Sequence, residues 1–283
     1  MAATISSARA SARGILSSAG IESASLDADL LLALCLNLRR IDLFIHRDRP
    51  LTNDEQEVFS ALVSRRARHE PIAYITGEKE FFGKVFHVNP HVLIPRPETE
   101  ILVEQAVALA PRGSLVLEIG VGSGAVICSV LAERNDLYGI GNDISLPALR
   151  TARANADLHR VSGRLGLLAS HTFSGLKGEM PVILANPPYI SEDDAQMLAD
   201  DVRLYEPGRA LFGGKDGLDI VQEIITGAPG HLAPGGVLLM EAGISQQEAV
   251  ESLVRGQEGL VVKGWENDLA GVPRVVIIER VHG

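Results

Sequence analysis

Asn186, Pro187, Pro188 and Tyr189 follow directly on the apolar run Val182–Ala185. The two prolines fix φ and remove two backbone donors, so this turn is rigid and offers outward carbonyls beside the Asn186 amide. A planar NH2 group attached to a carbonyl or an aromatic ring suits such a turn. Its two N–H bonds can be taken by the Asn186 side-chain oxygen and the Pro187 carbonyl, and its plane can stack on Tyr189. Amide and aromatic amine nitrogens are poor nucleophiles because their lone pair is delocalised. Holding both hydrogens out of line with the conjugating group favours a pyramidal nitrogen whose lone pair faces an incoming methyl. That is catalysis by orientation and electrostatics, without a strongly shifted base. Asn186, Pro187, Pro188 and Tyr189 are therefore the candidate catalytic and substrate-binding residues.

A second cluster lies upstream. Leu115 to Ala125 reads as a buried strand, a glycine-rich turn and the start of a helix, with Glu118, Gly120, Val121, Gly122, Ser123 and Gly124 in the turn region. Glycines there let a ligand approach the backbone at the carboxyl end of the strand. Asp143 ends the next strand, 25 residues after Glu118, where a carboxylate can accept both ribose hydroxyls of an adenosine. Two ligands fit. Gly120, Gly122 and Ala125 satisfy the dinucleotide pattern G-x-G-x-x-G/A, whereas Gly120, Gly122 and Gly124 satisfy the G-x-G-x-G loop typical of S-adenosylmethionine enzymes. Glu118 tips the balance toward the second, because a carboxylate would repel a pyrophosphate but suits a cationic ammonium and sulfonium. The candidate cofactor-binding set is Glu118, Gly120, Val121, Gly122, Ser123, Gly124, Asp143 and Asn186. No metal-ligand spacing is visible, and no metal is expected; His87 and His91 read as solvent-facing or structural.

The glycine loop, Asp143 and Asn186–Tyr189 together resemble the amino-methyltransferases that use S-adenosylmethionine. Within that group the chain closely resembles the release-factor glutamine methyltransferases, the HemK or PrmC family. Pro71–Gly77, Phe81 with Phe82, and Val92–Glu100 are similar to that family's inter-domain hairpin and the start of its catalytic domain. Tyr205–Pro207, Ala210–Gly214 and Asp216–Leu218 match its stretch after the catalytic tetrapeptide, and the front with Leu26–Leu32 looks like its substrate-recognition domain. The resemblance implies methylation, from S-adenosylmethionine, of the side-chain amide nitrogen of the glutamine in the Gly-Gly-Gln loop of class 1 peptide-chain release factors. It implies further that the glycines line the cofactor, Asp143 holds the ribose and Asn186 to Tyr189 grip the glutamine amide. Glu118 stands where the family often has Asp. One departure is larger: Ser170-His171-Thr172-Phe173 occupies the stretch where the family has an acid and then an aromatic near the adenine. Arg96, Glu98 and Glu100 suit caps and ion pairs as well as they suit a cleft.

The elements needed to hold these residues are legible in outline. Residues 1–68 read as helices. The first has Ile5, Ala8, Ala12, Ile15 and Leu16 on one side. A second runs from Ser25 to Leu38 with an apolar face of Leu26, Leu30, Leu31 and Leu34. A third is opened by a capping box at Thr52–Glu55. Arg65, Arg66 and Arg68 form a basic cluster, read as a solvated helix end or as a dock for an acidic partner. Residues 72–94 look like short strands. Beyond 97, strands at 114–119, 138–143, 181–185, 236–241 and 274–280 alternate with helices at 98–110, 125–134, 145–157 and 216–232. This alternation implies a mostly parallel sheet with helices on both faces. The expected fold is α/β: a doubly wound Rossmann-like methyltransferase domain (96–283) behind a small all-helical substrate-recognition domain (1–70) and a β-hairpin linker (71–95).

Composition narrows the functions. Of 283 residues, 46% are hydrophobic and 22% charged, a globular balance. Residues 1–70 hold nine basic and nine acidic side chains, so the formal net charge of −10 arises entirely after residue 70. An acidic catalytic half is a poor platform for tracking phosphates, which argues against direct nucleic-acid binding. It also argues against the alternative activity, methylation of the adenine amine in DNA or RNA. The intact tetrapeptide and glycines argue against a third reading, a non-catalytic S-adenosylmethionine-binding scaffold. No stretch approaches about 20 uncharged apolar residues, so no membrane span is expected. Cys35 and Cys128 read as buried free thiols of a reducing compartment. The acid-free first 20 residues superficially resemble a transit peptide but carry no cleavage mark; the expected location is the cytoplasm.

Overall fold

The structure is a computed structural model that describes residues 3–281. It opens with α1 (Ile5–Ser18), α2 (Ala24–Leu36), α3 (Arg40–Ile45), α4 (Asn53–Ala67) and α5 (Ile72–Thr76). A hairpin of β1 (Glu78–Phe81) and β2 (Lys84–His87) follows, then α6 (Glu100–Leu109), β3 (Leu115–Ile119), α7 (Ala125–Glu133), β4 (Tyr138–Asp143) and α8 (Leu146–Leu158). The chain continues through β5 (Leu165–Ala169), β6 (Met180–Ala185), α9 (Asp200–Tyr205), α10 (Asp219–Gly227) and β7 (Leu232–Glu241). It ends in α11 (Gln247–Arg255), β8 (Leu260–Asn267) and β9 (Pro273–Arg280). Two compact units result. One ends at Glu78 and takes in Ala199–Tyr205; the other comprises Lys79–Leu198 and the chain from Glu206 on.

In the first unit the helix faces are set by charge as much as by apolar content. Asp27 and Asp29 of α2 are both buried. Asp27 accepts from Arg66 at 2.7 Å, and Asp29 from Arg9 at 2.7 Å, whose guanidinium lies 4.2 Å from the Phe44 ring centre. Turning these carboxylates inward turns Leu26 and Leu34 out, so the expected Leu26–Leu30–Leu31–Leu34 face is replaced by one built on Ala28, Leu31 and Leu32. α1 buries Ile5, Ala8, Ala12 and Leu16 as expected but leaves Ile15 exposed. Two of the three basic side chains belong to the fold, Arg66 pairing with Asp27 and Arg65 with Glu70 at 2.5 Å, while Arg68 is exposed. Tyr205 of α9 donates to the Arg68 carbonyl at 2.7 Å within this unit.

The second unit is a seven-stranded sheet in the order β5-β4-β3-β6-β7-β9-β8. β5, β4, β3, β6 and β7 run parallel; β9 pairs antiparallel with both β7 and β8. Successive residues of a strand face opposite sides. Val116 and Val182 therefore join the layer under α6, α7 and α8, while Leu117 and Ile183 join the layer under α10 and α11. This is the doubly wound α/β architecture expected from the sequence. The hairpin packs into the first of those layers through Phe81 and Phe86, and Asn155 of α8 bonds both backbone groups of His87. Residues 72–76, expected as strand, are helical, because Pro71 supplies a helix start and Gly77 a left-handed stop at φ +78°.

Strand order reverses at β3: β4 and β5 lie to one side of it, β6 and β7 to the other. The carboxyl ends of strands at such a switch point leave a crevice between diverging loops. β3, β4 and β6 end at Ile119, Asp143 and Ala185, with Glu118 one residue before the end of β3, so the topology brings the glycine loop and the tetrapeptide to one edge.

Candidate active site

A cleft opens there, lined by Glu118, Gly120, Val121, Gly122, Ser123, Asp143, Asn186, Pro187 and Pro188, all of them expected site residues. Gly124 and Tyr189 of the same set stand behind the lining. Gly124 starts α7 at φ +79°, and a Cβ on it would lie 3.1 Å from the Ala152 Cβ of α8. Glycine is thus favoured here first by the left-handed backbone and then by the close approach of α8.

Because Gly124 has no side chain to cap α7, a carboxylate does so from the strand below. The Ile127 N–H donates to Glu118 Oε2 at 2.9 Å. Burial, reinforced by Asp143 nearby, pushes the Glu118 carboxyl up to about 8, although the Ile127 bond works the other way. Asp143 is oriented by two backbone donors, Gly122 N–H to Oδ2 at 3.0 Å and Ser145 N–H to Oδ1 at 2.8 Å. Each carboxylate oxygen keeps a further lone pair for a ligand.

The tetrapeptide is fixed from several directions. Asn186 Nδ2 donates to Thr99 Oγ1 at 3.2 Å, and Thr99 Oγ1 donates to Glu241 Oε2 at 2.7 Å. The Tyr189 hydroxyl donates to Glu241 Oε1 at 3.2 Å, and the Tyr189 carbonyl accepts from Gln246 Nε2 at 3.0 Å. Burial, then the Glu241 charge, raises the Tyr189 hydroxyl, and burial likewise raises the Glu241 carboxyl. The segment after the tetrapeptide backs it closely. A Cβ on Gly213 would lie 2.4 Å from the Pro188 carbonyl, and one on Gly217 would lie 2.2 Å from that of Tyr189.

The three charged residues left open by the sequence separate. Arg96 lines the cleft and is paired with the buried Glu206, which also accepts from the Ile94 N–H at 3.1 Å. Glu100 accepts from the Phe82 N–H at 2.8 Å and so serves the hairpin. Glu98 lies close enough to raise the Glu241 carboxyl. Thr99, Glu206 and Glu241 were missed, since only contacts between residues 87 to 142 positions apart reveal them. In the departing segment, Ser170, His171 and Thr172 do line the cleft. His171 Nε2 lies 2.9 Å from Glu223 Oε2 and Thr172 Oγ1 donates to Glu223 Oε1 at 2.5 Å, so the α10 acid fastens this segment without itself lining the cleft. Among the described residues no group of three or more His, Cys, Asp or Glu is arranged to hold a metal ion.

Residues 7–77 match the PrmC N-terminal domain family, and residues 97–204 match the methyltransferase small domain. A release factor glutamine methyltransferase of Nitratidesulfovibrio vulgaris is 42% identical over 277 residues, covering 95% of this chain and 92% of its own. One of Cereibacter sphaeroides is 42% identical over 261 residues, with 92% and 93% covered. The chain belongs to the release factor glutamine methyltransferase family. As a member of it, the protein is a methyltransferase, and its fold is also found in solved structures of low sequence identity. A methyltransferase from Pyrococcus furiosus superposes with a TM-score of 0.56 at 18% identity, over 77% of this chain and 99% of that one. A T. thermophilus 16S rRNA N2 G1207 methyltransferase, solved with AdoMet and guanosine, superposes at 0.52 with 19% identity, over 72% of this chain and 50% of that one.

Proposed function

We propose that this methyltransferase uses S-adenosylmethionine to methylate the side-chain amide nitrogen of the glutamine in the Gly-Gly-Gln motif of class 1 release factors. The observation that carries the reading is the Asn186 amide at the switch-point cleft. Its Nδ2 is committed to Thr99, which leaves Oδ1 and the Pro187 carbonyl to accept the two hydrogens of an NH2 group. Family membership supplies the class of protein that presents it.

The cleft fits the donor. Glu118, raised by burial, suits a cation that would draw its proton off. Asp143, held by Gly122 and Ser145, suits a ribose diol. Ile144, Ile220 and Ile224 give apolar walls for a base, and nothing lies within 4 Å of a Cβ built on Gly120, so the floor is open. When bound, S-adenosylmethionine supplies an electrophilic methyl on a positively charged sulfur. Asn186 and Pro187 hold the amide hydrogens, so the nitrogen lone pair is turned out of conjugation. The proton lost from the product nitrogen leaves after transfer, so no residue here has to act as a strong base. We propose further that residues 1–70 recognise the release factor, that 71–95 link it to the catalytic part at 96–283, and that the reaction is cytoplasmic and needs no metal.

The test is to mix the protein with S-adenosylmethionine and a purified release factor, beside the same factor with its Gly-Gly-Gln glutamine changed to alanine. Peptide mass spectrometry should find one added methyl on the unaltered peptide alone. A donor-binding protein that methylates neither would overturn the substrate, and an RNA or DNA oligonucleotide would be tried next.

A further inference from the structure

We propose that Thr99 and Glu241 are positioning residues for Asn186: they dictate which end of its amide faces the substrate, an inference that rests on the reading of the cleft given above. The two ends of an Asn side chain have nearly the same shape, so packing alone does not choose between them. A hydrogen-bond chain does. Thr99 is 4% exposed and Glu241 2%, so neither exchanges its partners for water. A hydroxyl has one proton to give. Thr99 gives its proton to Glu241 Oε2 and can then only accept, so the atom it meets on Asn186 has to be the NH2. The carbonyl oxygen is thereby reserved for a donor in the cleft, which is what a substrate NH2 requires. The Tyr189 hydroxyl fills the other carboxylate oxygen, so one buried acid orders both polar ends of the tetrapeptide.

The chain has a polarity, and Glu241 sets it. Ionised, it accepts from both hydroxyls. Protonated, it can donate to Thr99, whose own proton would then turn to Asn186 and draw the carbonyl oxygen away from the cleft. The groups facing Glu241 are Thr99 and Glu98 before α6, Tyr189 after β6 and Arg274 on β9. Burial and Glu98 oppose its charge; the two hydroxyls and Arg274 favour it. The productive orientation therefore belongs to the alkaline side of the Glu241 titration.

The test compares Thr99→Val, Thr99→Ser and Glu241→Gln, with Thr99→Val also made in an Asn186→Ala background. Loss of one orienting bond should lower kcat on the order of 10-fold in Thr99→Val, while the Kd for S-adenosylhomocysteine by calorimetry stays within about 2-fold. Thr99→Ser keeps the hydroxyl and should recover the rate. Thr99→Val should cost nothing further once Asn186 is alanine, and the acid limb of the kcat profile should disappear with it. Independently of turnover, the side-chain NH2 resonance of Asn186, identified by its loss in Asn186→Ala, should move in Thr99→Val and Glu241→Gln but not in Thr99→Ser. Equal damage from Val and Ser, full additivity with Asn186→Ala, or an unmoved resonance would overturn the relay. If the unaltered protein fails to methylate any release factor, the substrate reading falls, and the resonance still decides whether the relay exists.

Discussion

With no cation beside it Glu118 keeps its proton, because burial holds its carboxyl at about 8. A cation entering beside it favours the ionised form, so binding should release a proton and affinity should climb as pH rises toward 8. Calorimetry of S-adenosylhomocysteine in buffers of different ionisation heat would measure that proton, and Glu118→Gln should abolish it. The same shift acts on stability with a definite sign. The unfolded chain loses this proton near 4.5 and the folded one near 8, so the ligand-free protein loses stability as pH rises between them. Glu118→Gln should escape that loss, seen as a thermal midpoint less dependent on pH. Roles also divide between two neighbours. Asn186→Ala should lower turnover on the order of 100-fold while weakening the donor far less, whereas Asp143→Ala should weaken the donor more than it slows saturated turnover. Parallel loss of rate and binding in Asn186→Ala would contradict this division. These residues could be read from the linear sequence because each ends or follows an apolar run that names its own strand. Thr99 and Glu241 could not. They are ordinary residues until a fold sets them 2.7 Å apart across 142 positions.

Helix α2 shows what periodicity misses at the scale of an element. Counting Leu26, Leu30, Leu31 and Leu34 as the inner face treats every carboxylate as solvent-facing, which holds unless a cation waits inside. Arg66 of α4 and Arg9 of α1 do wait. Removing one partner leaves the other buried and unpaired, so Asp27→Ala should destabilise the helical unit by about 3–5 kcal/mol, measured by denaturant unfolding followed at helix signals. Cutting the exposed Arg39–Asp42 pair instead should change little. The strands that went unread, β5 and β8, are an outer pair of the sheet. Their partly exposed patterns lack the continuous apolar run that made β3 and β6 legible. α5 was misread for the opposite reason: five residues between Pro71 and Gly77 are too few for any period to speak.

Across the whole molecule, the linear reading finds a helical front and an α/β back but not the return of Ala199–Tyr205 to the front unit. Nothing in a short acidic helix says where it will pack. The family resemblance was carried by strings that prove to be the backing of the site, since Gly213 and Gly217 lie against the tetrapeptide's own carbonyls. One further feature makes the two units separately observable. Each contains a single cysteine, Cys35 on α2 and Cys128 on α7. Cys128 is fully enclosed, and Cys35 is half-buried with its thiol donating to the Glu55 carbonyl at 3.3 Å. Burial raises both thiols, so neither offers much thiolate in the native state. Reaction of the enclosed Cys128 with a thiol reagent is therefore gated by opening of the structure around it, while the half-buried Cys35 is slowed by its bond to the Glu55 carbonyl and quickened when that bond is released. Labelling of Cys35 should time the loosening of α2 from α4, and labelling of Cys128 the breaking of the sheet layer. Followed together by mass spectrometry, the two sulfurs are a pair of clocks built into one chain, and a donor bound in the cleft should slow the second far more than the first.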